Sequence, residues 1–571
     1  MITAAAALAA SCLNAQDIEK VIADTKTALR DPVTVSGSIG ASAVFYRSFG
    51  IQPRRDPFYW VLNANLNFTL FNKVSVPFTA VFTQQDKNFS NGLDRFSQPF
   101  NQYGLSPRYR WLTVHAGYRS LNFSEYSLSG VLWLGGGVEI RPERSLVSGS
   151  AFYGRFLKAV PQGGIDGIVV SVPSYQRMGG GAKVRVGTET SFGECSFLRV
   201  KDIIGSIPYD TSLSISPQEN QVVSFAGRHQ LLPWISASGE ISLSMFTKNL
   251  FEDTYTPARF SYVNQLFDTR PSTQFNKAIN TALDFSPGRL QYGIRYKRID
   301  PDYRSLGAIF LTNDVEEISV NSGAAVFKGK LSTQVAAGVQ RNNLDGRQQL
   351  SARRFIGSCN ITYAPAEYLS FSGNYSNFSS NTIAERNVFN DSIRFVQLTQ
   401  NFGSSAGFAF GKRLKQHLTL SGTYQESMGT QQLKSEFLNG TLSYQLMAGE
   451  SGWSLNLSAL YNQVKNEGLG LSNGYGPQVS IQRSMLNNRL RISASGGFQE
   501  NFLNDMFLSR NIVSSAALFF SISQNQNLRC DLSWLSREAQ QVGVQSFSEI
   551  RLNMGYTYNF SASAGKFGKR R

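Results

Sequence analysis

The chain has 571 residues, of which 42% are hydrophobic and only 16% charged, with 50 glycines and a formal charge of +16. Soluble domains usually carry about 25% charged residues, yet the mean hydropathy of −0.20 excludes a bundle of apolar membrane helices. The basic residues are scattered rather than gathered into an arm and form no visible nucleic-acid-binding module, so nucleic acid is excluded as a partner.

Residues 1–15, MITAAAALAASCLNA, form an apolar run too short to span a bilayer as a helix. The run reads as a signal peptide cut after Ala15. Ala9-Ala10-Ser11-Cys12 is also a partial lipobox, which leaves a lipoprotein as an alternative. Residues 16–32 are charged, with Ile18, Val21, Ile22 and Leu29 at roughly helical spacing before Asp31-Pro32. They predict a short periplasmic helix or a small plug; a disordered lead-in fits equally well.

From Val33 to Phe560 the pattern is strand after strand. Leu62, Ala64, Leu66, Phe68 and Leu70 alternate with Asn63, Asn65, Asn67 and Thr69. Leu290, Tyr292, Ile294 and Tyr296 alternate with Gln291, Gly293, Arg295 and Lys297. A strand has a side-chain period of two, so each segment has one apolar and one polar face. Repeated over the whole chain, this predicts an all-β fold: one transmembrane antiparallel β-barrel with apolar exterior and polar lumen. Tight turns at Phe71-Asn72-Lys73, Leu231-Leu232-Pro233, Ser286-Pro287-Gly288, Ala364-Pro365-Ala366, Leu486-Asn487-Asn488 and Gln524-Asn525-Gln526 separate longer polar stretches. Those stretches are 202–220, 246–277, 298–315, 343–352, 378–391 and 464–476. Such alternation fits short periplasmic turns and long outer loops. With both termini on one side the strand number must be even. A strand near Gln98–Leu105, before a turn at Ser106-Pro107-Arg108, brings the count to ~26, with ~24 as the alternative.

Residues 119–130, RSLNFSEYSLSG, stand out between two strands. They are either an outer loop or a loop folded into the lumen, where Arg119, Glu125 and Tyr126 would line a constriction. Tyr59, Trp60, Trp111, Trp133, Trp234 and Trp453 sit near strand ends, as interfacial aromatic girdles do. The basic tail 561–571 (SASAGKFGKRR) should lie in the periplasm.

Little points to chemistry. After the leader, Cys195, Cys359 and Cys530 are widely spaced, as small apolar residues would be. His115, His229 and His417 form no metal-spaced pair. Gly135-Gly136-Gly137 and Gly179-Gly180-Gly181 lack the Lys-Ser/Thr of a phosphate loop and read as strand glycines. Neither a cofactor, a metal nor a catalytic residue is expected, and the chain does not read as an enzyme.

Three resemblances bear on the location. Ile550, Leu552, Met554, Tyr556, Tyr558 and Phe560 share one face of the last strand. That face resembles the C-terminal targeting signal of bacterial outer-membrane barrels. Arg54-Arg55-Asp56-Pro57-Phe58, Gln98-Pro99-Phe100-Asn101-Gln102-Tyr103-Gly104-Leu105-Ser106-Pro107 and His115-Ala116-Gly117-Tyr118-Arg119 resemble a group of largely uncharacterised, porin-like outer-membrane barrels of Bacteroidota. Asp391-Ser392-Ile393 resembles the short O-glycosylation motif of the same Gram-negative phylum. The resemblance, best over residues 33–160, implies barrel fold and outer-membrane location, and no agreed substrate. It also implies outer-membrane lipid, lipopolysaccharide and the barrel-assembly machinery as partners. Residues 16–32 are too short for the folded plug of TonB-dependent receptors, and 561–571 too short for a peptidoglycan-binding domain.

The expected function is passive passage of small polar solutes, with anions as one candidate class. Inward-facing Arg295, Lys297 and Arg551 would favour anions, as rings of basic side chains do. A barrel this wide would leak unless residues 16–32 or 119–130 obstruct it. The alternative is a non-conducting barrel subunit of an outer-membrane secretion or biogenesis complex, with envelope proteins as its partners.

Overall fold

The computed structural model describes residues 32–84, 97, 100–143, 145–162, 164–165, 168–169, 173–208, 215–254, 267–308, 311–347, 353–383, 394–428, 434–449, 451–468, 470–540 and 545–563. The sequence expectations for 1–15, 16–31, 391–393 and 564–571 lie outside the described residues. Among the described residues strand structure begins at Val33 and ends at Ser563, three residues beyond the expected Phe560.

Each strand pairs with its neighbours in sequence, and every ladder of the barrel is antiparallel. The sheet then closes on itself. Val33–Phe49 pairs with Phe547–Ser563 in unbroken register from Thr34 opposite Ser563 to Phe49 opposite Ser548. Closure removes the free edge, with its row of unpaired N–H and C=O groups. The sheet has 27 ladder segments. Gln102–Leu105 and Arg108–Tyr109 are two halves of one span, because both lie between Val74–Thr83 and Leu112–Arg119. The barrel therefore has 26 strands, and both ends of the chain's strand region open on the same side. Strands 4.8 Å apart and tilted by about 40° put opposite walls of such a barrel roughly 50 Å apart.

Three expectations about connections are corrected. Ala364-Pro365-Ala366 is the end of strand Arg353–Ala366, and the turn follows at Glu367-Tyr368. Ser106-Pro107 is an interruption within a span and not a turn; the turn follows at Arg110-Trp111. Pro107 has no N–H to give the ladder, but its carbonyl still accepts from Val114, and Ser106 N–H donates to Pro77 O. The stretch 464–476 is no long loop: Trp453–Asn466 and Gly470–Met485 are joined by three residues. Gly468 (φ 85°) and Gly470 (φ 98°) take the left-handed backbone that such a turn needs. The turns at Phe71-Asn72 and Leu486-Asn487-Asn488 lie where expected, all at positive φ.

Alternation sorts the side chains. Ile294, Val320, Leu420, Val479 and Leu532 are exposed on the outside, and in the last strand Ile550, Met554, Tyr556 and Tyr558 are too. Trp111, Trp234 and Trp453 are exposed beside the short turns, as a girdle requires. Trp133 is not: it faces inward, fully buried and stacked on Phe152 at 4.9 Å.

Closure has a direct test. In a Cys530→Ser background, Ser38→Cys with Asn559→Cys should form a disulfide across the seam, because the two positions are register partners. A seam that is open or shifted would leave both thiols free to alkylation, as read by mass spectrometry.

Candidate functional site: two loops clasped inside the barrel

The face opposite the exposed belt is the lumen, and one sector of it is unexpectedly apolar. Phe152 and Phe156 alternate with the outward Tyr153; Leu198 and Val200 alternate with the outward Phe197 and Arg199. Val222 continues the patch on the next strand. Together they form a buried cluster with Leu121, Phe123, Leu128, Val131 and Trp133. Residues 120–132 thus leave the outer end of Leu112–Arg119, dip inside, and lie on the wall. Burying each large apolar side chain contributes about 1.5–3 kcal/mol before chain entropy is subtracted.

A second inward segment, 300–308, locks the first in place. Ser129 N–H donates to Gly307 O at 2.8 Å, within a short parallel bridge from Ser129 to Ala308. Tyr303 Oη donates to Tyr126 O at 2.9 Å, and Ser305 Oγ donates to Ser127 O. The wall holds the second segment in turn. Asn220 Nδ2 and Ser244 Oγ donate to Arg304 O at 3.3 and 2.6 Å, and Asn220 Oδ1 accepts from Leu306 N–H at 3.0 Å. Tyr126 and Tyr303 meet edge to face at 6.4 Å, packed with Ala278 and Ile299. Burial raises both phenol pKa values above the ordinary tyrosine range, and the neighbouring Glu125 charge adds to the rise at Tyr126. Both therefore stay neutral through the physiological range.

Charged groups fringe this clasp. Lys297 Nζ reaches Glu125 Oε1 at 2.9 Å and lies 5.8 Å from the Tyr126 ring. Lys183 Nζ donates to Asn122 O and Phe123 O at 3.2 and 3.4 Å. Arg185 and Lys183 face Glu194 at 3.2 and 4.0 Å.

Of the residues singled out in sequence, Glu125, Tyr126 and Lys297 come together. Tyr126 is fully buried, so it holds the loop and offers no surface. Arg119 stands at the loop's root, donating to Thr79 Oγ1 at 2.7 Å. Arg295 lines a separate hollow of about 550 Å³ with Glu317, Ser319 and Asn321. Arg551 is on another part of the wall, donating to Asn553 Oδ1 at 2.8 Å. Sequence reasoning missed 300–308 as an inward segment, and missed Lys183. The available signal was a breakdown of alternation: Phe152-Tyr153, Phe197-Leu198 and Val222-Val223 are apolar on both faces, which a lumen wall in contact with water would not be.

His115 also acquires partners that spacing did not reveal. Its Nδ1 is 2.9 Å from Ser106 Oγ and its Nε2 is 2.9 Å from Glu139 Oε1, while Arg141 holds the other Glu139 oxygen at 2.6 Å. Among the described residues no group of three His, Cys, Asp or Glu side chains could hold a metal ion.

No protein-family model matches the sequence, and no curated protein does. Among solved structures, the chain is similar to the ferric enterobactin receptor of Pseudomonas aeruginosa, with TM-score 0.41 and 10% identity over 92% of this chain and 81% of that one. It is similar to the P pilus usher translocation pore, with TM-score 0.39 and 10% identity over 92% of this chain and all of that one. It is also similar to OccAB3 of Acinetobacter baumannii, with TM-score 0.31 and 10% identity over 64% of this chain and 98% of that one. Likenesses this distant carry no argument about function.

The clasp predicts a local effect. Tyr303→Phe removes the donor to the Tyr126 carbonyl and should cost about 1–2 kcal/mol of loop stability. Amide exchange within 122–130 should accelerate about 5- to 30-fold, while exchange in the barrel strands stays unchanged. Equal exchange rates would mean that this bond does not hold the loop.

Proposed function

We propose that the protein is an outer-membrane β-barrel channel through which small polar solutes, anions preferred, diffuse passively past the clasped loops. The observation that carries this reading is the clasp: a wide closed barrel carries, inside it, a loop packed on apolar wall residues and edged by Lys297, Glu125 and Lys183. A loop held by this many buried apolar contacts suits a fixed constriction, because close-packed interfaces do not deform continuously. Arg295, Lys297 and Arg551 on inward faces supply positive potential, and Arg119 and Glu125 set its local pattern. The reading includes outer-membrane residence, with Leu552, Met554, Tyr556, Tyr558 and Phe560 as the targeting face. It also includes kinship with the Bacteroidota barrels that residues 33–160 resemble.

Planar-bilayer recording tests it. The purified barrel should conduct with a reversal potential favouring chloride. Arg295→Gln with Lys297→Gln should lower the anion-to-cation permeability ratio by about 2- to 5-fold without abolishing conductance. A silent barrel that co-purifies stoichiometrically with other envelope proteins would support the subunit of a secretion or biogenesis complex instead. Covalent labelling of Ser106 by a fluorophosphonate would support hydrolytic chemistry at the Ser106–His115–Glu139 chain.

A further inference from the structure

The outward face of the barrel carries a charge imbalance directly outside the clasp. Strand register fixes two neighbouring rows there. Tyr153, Gly180 and Arg199 are partners across three strands; Arg155, Met178 and Lys201 form the next row. All six share the outward side with Phe197 and Val184, which are exposed. The row continues to Glu219, the partner of Lys201. The Glu219 carboxylate is buried and held by Arg199 at 2.7 Å and Lys201 at 3.2 Å. Three cations thus stand over one acid, and the Arg199 and Lys201 side chains remain 43% and 41% exposed. Arg155 donates only weakly to Tyr118 Oη, at 3.5 Å. Elsewhere on the outward face Arg510 has Glu500, Lys434 lies between Glu426 and Glu436, and Arg47 and Arg483 lie over the rings of Phe49 and Trp453.

Beneath these cations the surface is apolar and recessed. A cleft of about 600 Å³ is lined by Tyr153, Met178, Gly180, Arg199, Lys201 and Ile204, and by Asp202, whose carboxylate is taken up by Arg177 at 2.7 Å. Gly180 makes room for it. A side chain there would begin 2.8 Å from the Tyr153 ring, which leans over the glycine. The level is also informative. Lys201 stands nine residues along its strand from Phe192, at the short-turn end. At about 3.3 Å per residue and a tilt near 40°, that is roughly 23 Å, close to the ~25 Å height of an outer-membrane apolar belt. The cleft therefore has acyl chains beside its floor and headgroups beside its cations.

We propose that this cleft binds a phosphorylated lipid of the outer leaflet: its phosphate monoester bridges Arg199 and Lys201, with Arg155 completing the charge, and an acyl chain lies against Tyr153 and Met178. Charge complementarity selects the phosphate, since guanidinium and ammonium groups at a headgroup boundary pair best with a dianion. The proposal rests on the barrel crossing a membrane, and not on its conducting.

Native mass spectrometry of the detergent-purified barrel tests it, with dimyristoyl phosphatidic acid as the probe. The wild type should retain one lipid adduct at concentrations where dimyristoyl phosphatidylcholine leaves none. Arg199→Gln with Lys201→Gln should weaken that adduct at least 10-fold, and Gly180→Leu, which fills the cleft and leaves all charges, should also weaken it. Glu500→Gln with Arg510→Gln, at the balanced pair, should leave it intact. Millimolar inorganic phosphate should not displace the lipid; displacement would show a phosphate site without a lipid subsite and overturn the proposal. Equal retention by wild type and both cleft variants, or no adduct at all, would overturn it as well. Heat-dependent electrophoretic mobility confirms that each variant is a folded barrel, and unchanged bilayer conductance of the variants keeps failure here separate from failure of the channel reading.

Discussion

The ladder between the first and last strands is the constraint on which everything else depends. A strand in hydrocarbon must satisfy every backbone N–H and C=O within the sheet, and an open edge leaves a row of them unpaired. Sixteen consecutive register partners, from Thr34–Ser563 to Phe49–Ser548, close that edge. Closure in turn forces an inside and an outside on a chain whose side chains alternate. The outer face takes Ile294, Val320 and Leu532; the inner face takes Arg295, Lys297 and Arg551.

Closure with 26 strands also creates a problem of size. Small barrels fill their interiors with wall side chains, whereas large ones leave a lumen. This chain fills part of its lumen by folding 120–132 and 300–308 against an apolar sector of wall. The hydrophobic effect holds Leu128, Phe123 and Trp133 there, while hydrogen bonds from Tyr303, Ser305, Asn220 and Ser244 fix their register. Nonpolar burial gives the loops their affinity for the wall, and the polar network gives them one conformation. The exposed charges Glu125 and Lys297 then sit at defined positions instead of on a wandering loop.

Most of the barrel was legible from period-two alternation, because along most strands, outside the clasped sector, successive side chains face opposite surroundings. The even count followed from placing both termini on one side, and the turns at Phe71-Asn72 and Leu486-Asn487 from their local turn residues. Boundaries failed where the local residues were ambiguous: Ser106-Pro107 reads as a turn but interrupts a span, and the glycines around 468–470 hide a tight turn inside a polar stretch. The site was only half legible. Residues 119–130 stood out as a loop of unusual composition, but the partner segment 300–308 reads as an ordinary polar connection. Its role comes from Tyr303, Ser305 and backbone carbonyls meeting residues some 180 positions away, which no local pattern encodes. Likewise Ser106, His115 and Glu139 meet only because three strands align.

The central claim is that this alternation is read by two solvents, hydrocarbon outside and water within. Spin labels placed singly at residues 550–560 in lipid vesicles measure it, by power saturation with oxygen and with a water-soluble nickel chelate. The account predicts a strict period of two, with oxygen favoured at Leu552, Met554, Tyr556 and Tyr558 and nickel favoured at Arg551, Asn553 and Thr557. Uniform nickel accessibility along the strand would contradict it.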